Sequence, residues 1–288
     1  MAFTEKVLSF AFSGAPGFSG APTGSFTAQG LRAVAGIQRA AGRLGVQAQV
    51  KVWGLSMAQM NAYSSVLSAS IGGAGLGNFS LVISAGDLGD QLTEVMEGLI
   101  WNSFIDLGDA PDSSFNITVA PLFAAADPIA AQSQPGSQDV KTLIASLCAA
   151  GGLTLNPSSV KGRLRNQSTY GSVIDQVERV ARAAGLSWKL EGSKLSIWAR
   201  GGTVDDVVIA VGPDTEPRMV GYPQYWEQGI IVTSLFNPEI QVGRQMAVTS
   251  TIPKANGVWS IINVQDNLAT MMDRGPWFTT AVLSGVGV

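Results

Sequence analysis

A chain of 288 residues, 46% of them hydrophobic, is long enough to bury a core without disulfides or metals, as one large domain or two to three ordinary ones. Its 18 basic and 21 acidic residues make up only 14% of the chain, where soluble domains carry about 25%, and the net charge of −3 supplies no basic field for wrapping duplex DNA. No apolar run reaches the roughly 18 to 20 residues of a membrane span, Cys148 is the only cysteine, and histidine is absent, which removes the commonest general base, zinc ligand and triad member together.

In chain order, residues 7–12 form a short apolar run beside Glu5 and Lys6, too short for the core of a signal peptide, and are predicted as a strand. Residues 14–30 are rich in Gly, Ala, Pro, Ser and Thr and predict a long hairpin loop. Residues 31–38 read as a strand, and Val46, Ala48, Val50 and Val52 alternate so that 46–53 is a half-buried strand. Ser56 stands three residues before Gln59, the spacing of a capping box, and Met57, Met60, Tyr63, Ser64 and Leu67 follow at helical intervals. After the glycine run at 72–77, residues 79–84, 92–105 and 115–119 read as three more strands. Residues 1–123 are therefore expected to form a β-barrel or sandwich of at least five strands with one helix.

The character changes at Pro121. Residues 124–136, with Pro128 and Pro135, read as a linker, and Ser137 is expected to cap a helix with Val140, Leu143, Ile144, Leu147 and Cys148 on one face and Gly151-Gly152 as its stop. A second helix is predicted over about 171–184, striped by Val173, Ile174, Val177, Val180, Ala181 and Ala184 and stopped by Gly185. Leu186, Trp188 and Leu190, a turn at 191–193, and Leu195 and Ile197 then predict a hairpin. Residues 124–200 thus form a small α+β domain. Beyond Gly201-Gly202, the runs 207–211, 229–236, 246–251, 258–264 and 277–283 are short and β-rich, divided by Gly, Pro and Asn turns, so 201–288 is a second β domain. The fold class is mainly β with an α+β insert.

The residues offer no convincing chemistry. The glycine run at 72–77 follows a helix and precedes a strand, the reverse of a phosphate loop. Asp106, Asp109 and Asp112 recur every third residue, which is turn chemistry beside Gly and Pro and not the alternate-residue pattern of a calcium loop. Asp205 and Asp206 would point to opposite faces of a strand, a poor acid/base dyad. Ser158 and Lys161 have the spacing of a Ser/Lys acyl enzyme, but Pro157 and Gly162 leave no room for the helix that this chemistry needs. Cys148 lies on an apolar helix face and reads as a small core residue. The sequons at Asn78, Asn116 and Asn166 have meaning only in a glycosylating pathway. Of the seven tryptophans, Trp53, Trp101, Trp188, Trp198 and Trp259 read as packing, while Trp226 and Trp277, flanked by Gly, Pro and Tyr, suit a contact surface. No catalytic, cofactor-binding or metal residue is assigned, and no cofactor is expected.

Particular strings are nevertheless familiar. Gly221-Tyr222-Pro223, Ser234-Leu235-Phe236-Asn237-Pro238-Glu239-Ile240 with Gly243, Ala255-Asn256-Gly257-Val258-Trp259 and Gly275-Pro276-Trp277-Phe278-Thr279-Thr280 resemble the C-terminal part of tail-phage and prophage baseplate hub proteins. Gly30-Leu31-Arg32-Ala33 and the segment Val52-Trp53-Gly54-Leu55-Ser56-Met57-Ala58-Gln59-Met60-Asn61 are similar to the same family, so the resemblance spans nearly the whole chain. One departure is Asp266-Asn267-Leu268, where relatives often carry a histidine before the leucine.

The resemblance implies a non-enzymatic homotrimer in the virion, made in the host bacterial cytoplasm. Each protomer would supply two tail-tube-like β-barrels, giving a ring that is pseudo-sixfold towards the hexameric tail tube and threefold towards the central spike. It would enclose the DNA channel without sequence-specific nucleic-acid binding. Its partners would be its own copies, the tail tube protein, the central spike protein and other baseplate proteins. The strands of residues 31–53 and 229–251, equivalently placed in the two barrels, are expected to line or join the ring. Two other readings stand beside this one: the hub of a bacterial contractile injection system, and a cell-wall glycan-binding or glycan-cleaving tail component. Against cleavage stand the missing histidine and the lack of a convincing carboxylate pair.

Overall fold

Alternation of apolar and polar side chains sets most of the strands in the computed structural model of this protein, which describes residues 4–14, 25–64, 79–108, 111–120 and 128–285. Its chain divides into two units. The first comprises Met1–Gln38, Gln47–Pro121 and Asp266–Trp277, and the second Arg39–Val46, Leu122–Gln265 and Phe278–Val288. The protein is mainly β.

In the first unit, β1 (Lys6–Gly14), β2 (Phe26–Gln29), β3 (Ala33–Ala40), β4 (Val46–Trp53), β5 (Phe79–Asp87), β6 (Thr93–Asp106) and β7 (Ser114–Ala120) follow one another, with α1 (Met57–Tyr63) after β4. β4 pairs with β7, β7 with β6, β6 with β5, β5 with β1 and β1 with β2, all antiparallel. As the alternation predicts, Val46, Ala48, Val50 and Val52 are buried, together with Phe10, Phe12, Leu81, Ile83, Phe115, Ile117 and Val119 from the other strands.

The capping box of α1 is present. Gln59 N donates to Ser56 Oγ at 3.2 Å, and Ser56 N donates to Gln59 Oε1 at 2.9 Å. The helix ends by placing Tyr63 among Phe12, Phe26 and Phe79, with ring centroids 5.2 to 5.3 Å apart, while Phe12 and Phe26 stack at 4.6 Å. Ser103 Oγ donates to the Tyr63 carbonyl at 2.6 Å, satisfying a buried hydroxyl against the exiting chain. β2 lies inside the segment whose composition reads as loop. Four residues suffice for it because Phe26 anchors them in the aromatic cluster. Residues 15–24 of that loop and the glycine run at 72–77 lie outside the described residues.

The second unit contains two apolar cores. One is built by α2 (Val140–Ala150) and α3 (Val173–Ala184) against the hairpin of β11 (Leu186–Glu191) and β12 (Lys194–Ala199), with β9 (Thr154–Leu155) parallel to β12. The α2 stripe is buried as the sequence predicts, and so is that of α3 except Ala184 at its end, which is half-buried. Ser172 and Asp175 form the capping box of α3, and Gly185 closes it in the left-handed region at φ 66°. A two-stranded ribbon of β8 (Pro128–Asp139) and β10 (Arg163–Ser172) joins this body through Gln176. The buried Gln176 amide accepts from Thr169 Oγ1 at 2.6 Å and donates to the carbonyls of Gly171 and Ala130.

The ribbon corrects two expectations. From Pro128 onward the supposed linker is a strand: proline opens it, and Pro135-Gly136 sits at a bulge where Gly136 N donates to Asn166 Oδ1, so neither proline deprives the ladder of a needed donor. Ser137 is part of that strand, and the cap of α2 is Asp139, which accepts from Thr142 N at 3.1 Å. Residues 121–127 lie outside the described residues.

The other core is formed by β13 (Val208–Val211), β14 (Gln224–Trp226), β15 (Gly229–Leu235), β16 (Gln245–Val248), β17 (Gly257–Thr270) and β18 (Trp277–Gly285), and includes Ile209, Val211, Ile230, Val232, Met246, Val248, Ile261 and Leu283. β15 pairs with β14 and β18, and β16 pairs with β17 and, in parallel, with β13. The parallel pair needs a long crossover, and residues 212–244 supply it.

Two variants test this account. A Cβ on Gly151, which ends α2, would come within 2.1 Å of Val173 Cγ2 on α3. Gly151→Ala should therefore cost about 1–3 kcal/mol of stability through overpacking, seen as a lower urea midpoint, although alanine is normally the better helix residue. The Ser172 hydroxyl and backbone, and then Arg43, hold the Asp175 carboxyl below its ordinary value. Its contribution is thus present at neutral pH and lost as the pH falls through the carboxylate range, so Asp175→Asn should flatten the acid limb of a stability–pH curve.

Candidate assembly surfaces

Open strand edges and exposed apolar side chains are the features that stand out once the chemistry is placed. β14 pairs only with β15, and β13 only with β16, so each presents a free edge among the described residues. Around β14 the exposed side chains are Val220, Tyr222, Tyr225 and Leu235, with Tyr222 at 69% and Tyr225 at 59% exposure. Val220 N donates to the Thr233 carbonyl and Leu235 N to the Arg218 carbonyl, which fixes this segment against β15. Gly221, at φ 76°, makes the turn that Tyr222 sits on. Beside β13, cross-strand pairing aligns Ala210, Ala247 and Val258 in one row, with Val208 next to it. Val208 and Val258 are both 48% exposed, while Ile209, Val211, Met246 and Val248 on the opposite face are buried. In the first unit Met57, Leu88, Phe104, Leu107 and Met271 are exposed. Aromatic and apolar side chains on unpaired edges are the material of protein–protein contacts.

Several of the sequence-predicted candidates are engaged structurally. Asp106 accepts from Gly108 N at 2.9 Å and faces Lys51 Nζ at 3.6 Å, while Asp109 lies outside the described residues. Asp205 and Asp206 precede β13 in a bend instead of lying on a strand, and Asp205 holds Arg244 Nε at 2.9 Å. Ser158 Oγ donates to the Ile197 carbonyl at 3.0 Å in a segment that is not helical, so it shares no helical turn with Lys161. Among the described residues no three His, Cys, Asp or Glu side chains gather as a metal group, and no helix is long and apolar enough to cross a membrane.

The tryptophans divide differently from expectation. Trp188 is buried and donates to Glu178 Oε2 at 2.7 Å, and Trp53 carries the Arg32 guanidinium at 4.5 Å and Lys51 Nζ at 5.1 Å from its ring. Trp226, expected at a contact surface, turns back to its own sheet and donates to the Leu283 carbonyl at 3.2 Å. Its neighbours Tyr222 and Tyr225 are the exposed aromatics. The signal for Tyr222 lay in Gly221-Tyr222-Pro223, since an aromatic between glycine and proline cannot sit in the ladder of a central strand.

In the second unit a cavity of about 100 Å³ is lined by Ser187, Trp198, Arg200, Gly243, Ser260 and Ser284 among others. Arg200 is the one ionisable group in its lining, so it holds no acid/base pair.

Mainly β architecture of this kind is shared with solved tail proteins. The tail protein from Neisseria meningitidis MC58 aligns with a TM-score of 0.66 at 9% identity, over 98% of this chain and 97% of that one. The 43 kDa tail protein of prophage MuSo2 from Shewanella oneidensis aligns at 0.58 and 12% identity, over 98% and 97%. The E. coli c3393 protein, described as a type VI secretion component with structural similarity to T4 tail proteins gp27 and gp5, aligns at 0.56 and 11% identity, over 88% and 73%. No curated protein sequence matches the chain. The fold is thus that of the tail proteins. Residues 17–281 match the family described as Baseplate hub gp41, and the chain belongs to that family.

Cys148 is 1% exposed in the first of the two cores of the second unit, and burial pushes its thiol up to about 11. A disulfide reagent at neutral pH should therefore find no reactive thiol in the native protein and one per chain in denaturant. Rapid native labelling would contradict the packing.

Proposed function

We propose that the protein is the structural hub of a phage tail baseplate, a homotrimer that joins the hexameric tail tube to the threefold central spike and encloses the DNA channel. The observation that carries this reading is the match to the baseplate hub family over nearly the whole chain. On this reading residues 1–123 and 201–288 are the two tube-like barrels and 124–200 the α+β domain between them, so three protomers offer six barrels to the tube and three equivalent positions to the spike. The scarcity of charge fits a molecule that buries much of its surface against sister subunits, tube and spike, and so do the exposed aromatics of the β14 edge. β15 and β16 are paired on both sides within the chain, so residues 229–251 would meet neighbours through their faces, leaving β13 and β14 as the edges to be covered.

The second reading, the hub of a bacterial contractile injection system, is favoured by the likeness to the E. coli secretion component and to a chain of the Francisella PdpA–VgrG complex, which aligns at a TM-score of 0.57 and 9% identity over 99% of this chain and 53% of that one. Both readings give the same assembly, and the genes encoded alongside decide between them.

Purified protein should have a solution mass three times that of the 30.0 kDa protomer and appear as threefold particles in images. A mass of one protomer at assembly concentrations, with no threefold particle, overturns the proposal. Incubation with peptidoglycan should release no fragments.

A further inference from the structure

Charge is scarce in this chain and also segregated. From Val52 to Val140 there is no Lys or Arg against nine acids, and from Lys141 to Arg200 there are nine of the eighteen basic residues against three acids. The two stretches therefore carry opposite fields.

The fold concentrates each of them. In the first unit, β5 and β6 form a hairpin whose turn carries Leu88, 59% exposed, between Asp87 and Asp90. Glu94 and Glu97 are three residues apart on β6 and would ordinarily face opposite sides. A bulge between the Ile83–Met96 and Ser84–Glu94 pairs brings both to the outer face, opposite Ser84 and Val82, while Ile83 and Met96 face the core. Asp90, Glu94 and Glu97 are exposed, and none is in an ion pair among the described residues; Asp87 is held by Lys6.

In the second unit, Lys161, Arg163 and Arg165 are exposed at the start of the β8–β10 ribbon. Leu164 packs on the core beneath them, so Arg163 and Arg165 face outward together. Farther along β10, Tyr170 is 60% exposed with the Arg179 guanidinium 3.7 Å above its ring. Neither Lys161, Arg163, Arg165 nor Arg179 meets a carboxylate among the described ion pairs, and among the described residues each strand of the ribbon pairs with the other alone.

Each patch thus pairs an exposed large side chain with charges of one sign that meet no counter-ion among the described residues, although Arg163 also donates to the Ser137 carbonyl at 3.3 Å, and the two signs are opposite. We infer that the basic ribbon, through Lys161, Arg163, Arg165 and Tyr170, docks on the acidic β5–β6 hairpin, through Leu88, Asp90, Glu94 and Glu97, of the next copy of this chain. Such a contact joins two different surfaces. Repeated by a rotation that closes, it generates a ring, and like charges facing one another oppose the pairing of two identical surfaces. The inference rests on the homotrimer proposed above and specifies the surfaces that would hold it.

Light scattering on three variants tests it. Arg163→Glu with Arg165→Glu, and separately Glu94→Lys with Glu97→Lys, should each raise the concentration at which assembly is half complete at least about tenfold near 0.15 M salt. The chain carrying all four changes should recover it, and the wild-type assembly should weaken as salt rises towards 1 M. The neutral pair Arg163→Gln with Arg165→Gln should shift the midpoint in the same direction, which guards against a reversal that fails to fold. Double variants that keep the wild-type mass, or a fourfold variant that does not recover, overturn the inference while leaving the trimer intact. A monomeric wild type overturns both. If a labelled DNA duplex binds the wild type and Arg163→Glu with Arg165→Glu abolishes that binding with the mass unchanged, the ribbon serves a nucleic acid, and the inference is overturned.

Discussion

A β-strand has two hydrogen-bonding edges, and a chain built mainly of strands must pair, cover or offer every one of them. That constraint organises this protein. In the first unit β4, β5, β6 and β7 are central strands, and short β2 ends the antiparallel run beside β1. In the second unit β15 and β16 are paired on both sides, and β13, β14, the outer strands β11 and β9 of the small sheet, and the two strands of the β8–β10 ribbon each have a single partner among the described residues. The exposed aromatic and branched side chains of the second unit gather at these elements: Tyr222 and Tyr225 at β14, Val208 at β13 and Tyr170 on the ribbon. A free edge dressed with tyrosine and valine would be a hazard for a solitary protein, and it is useful to a subunit of an assembly.

The scarcity of charge belongs to the same logic. Charged side chains are costly to desolvate, so a surface destined for burial carries few of them, and those that remain either pair locally or meet a partner. The first case is plain here. Lys6 with Asp87, Lys51 with Asp106, Arg43 with Asp175 and Arg244 with Asp205 are settled within their own units. The carboxylates of Glu94 and Glu97 and the guanidinium groups of Arg163 and Arg165 meet no counter-ion among the described residues. The family to which this chain belongs is that of the baseplate hub gp41. The side chains that first invite a chemical reading are spent on structure: Ser158 on the Ile197 carbonyl, Asp205 on Arg244, Cys148 on an apolar core.

Wherever one short stretch of chain contains both the signal and its consequence, the sequence alone determined the outcome. The alternation of Val46, Ala48, Val50 and Val52 dictates a strand with one buried face, Ser56 with Gln59 dictates the start of α1, the valine stripe from Val173 to Val180 dictates α3, and Gly185 stops it in a conformation that glycine adopts freely. The lack of histidine and of a second cysteine removes the commonest general base, the commonest zinc ligand and any intrachain disulfide from what the chain can offer. Tertiary structure decided what depends on partners distant in the chain. β8 and β10 are largely polar, β8 carries two prolines, and residues 140–162 separate them, so neither has an apolar period of its own and each is a strand only because the other completes its ladder. The same holds for β13, whose parallel partner β16 lies beyond a long crossover, and for Glu94 and Glu97, which share a face only because a bulge in the pairing with β5 puts them there. Local periodicity encodes which face of an element is apolar; which element lies beside it, and hence which edges and charges remain for a partner, is set by hydrogen bonds that close over long loops.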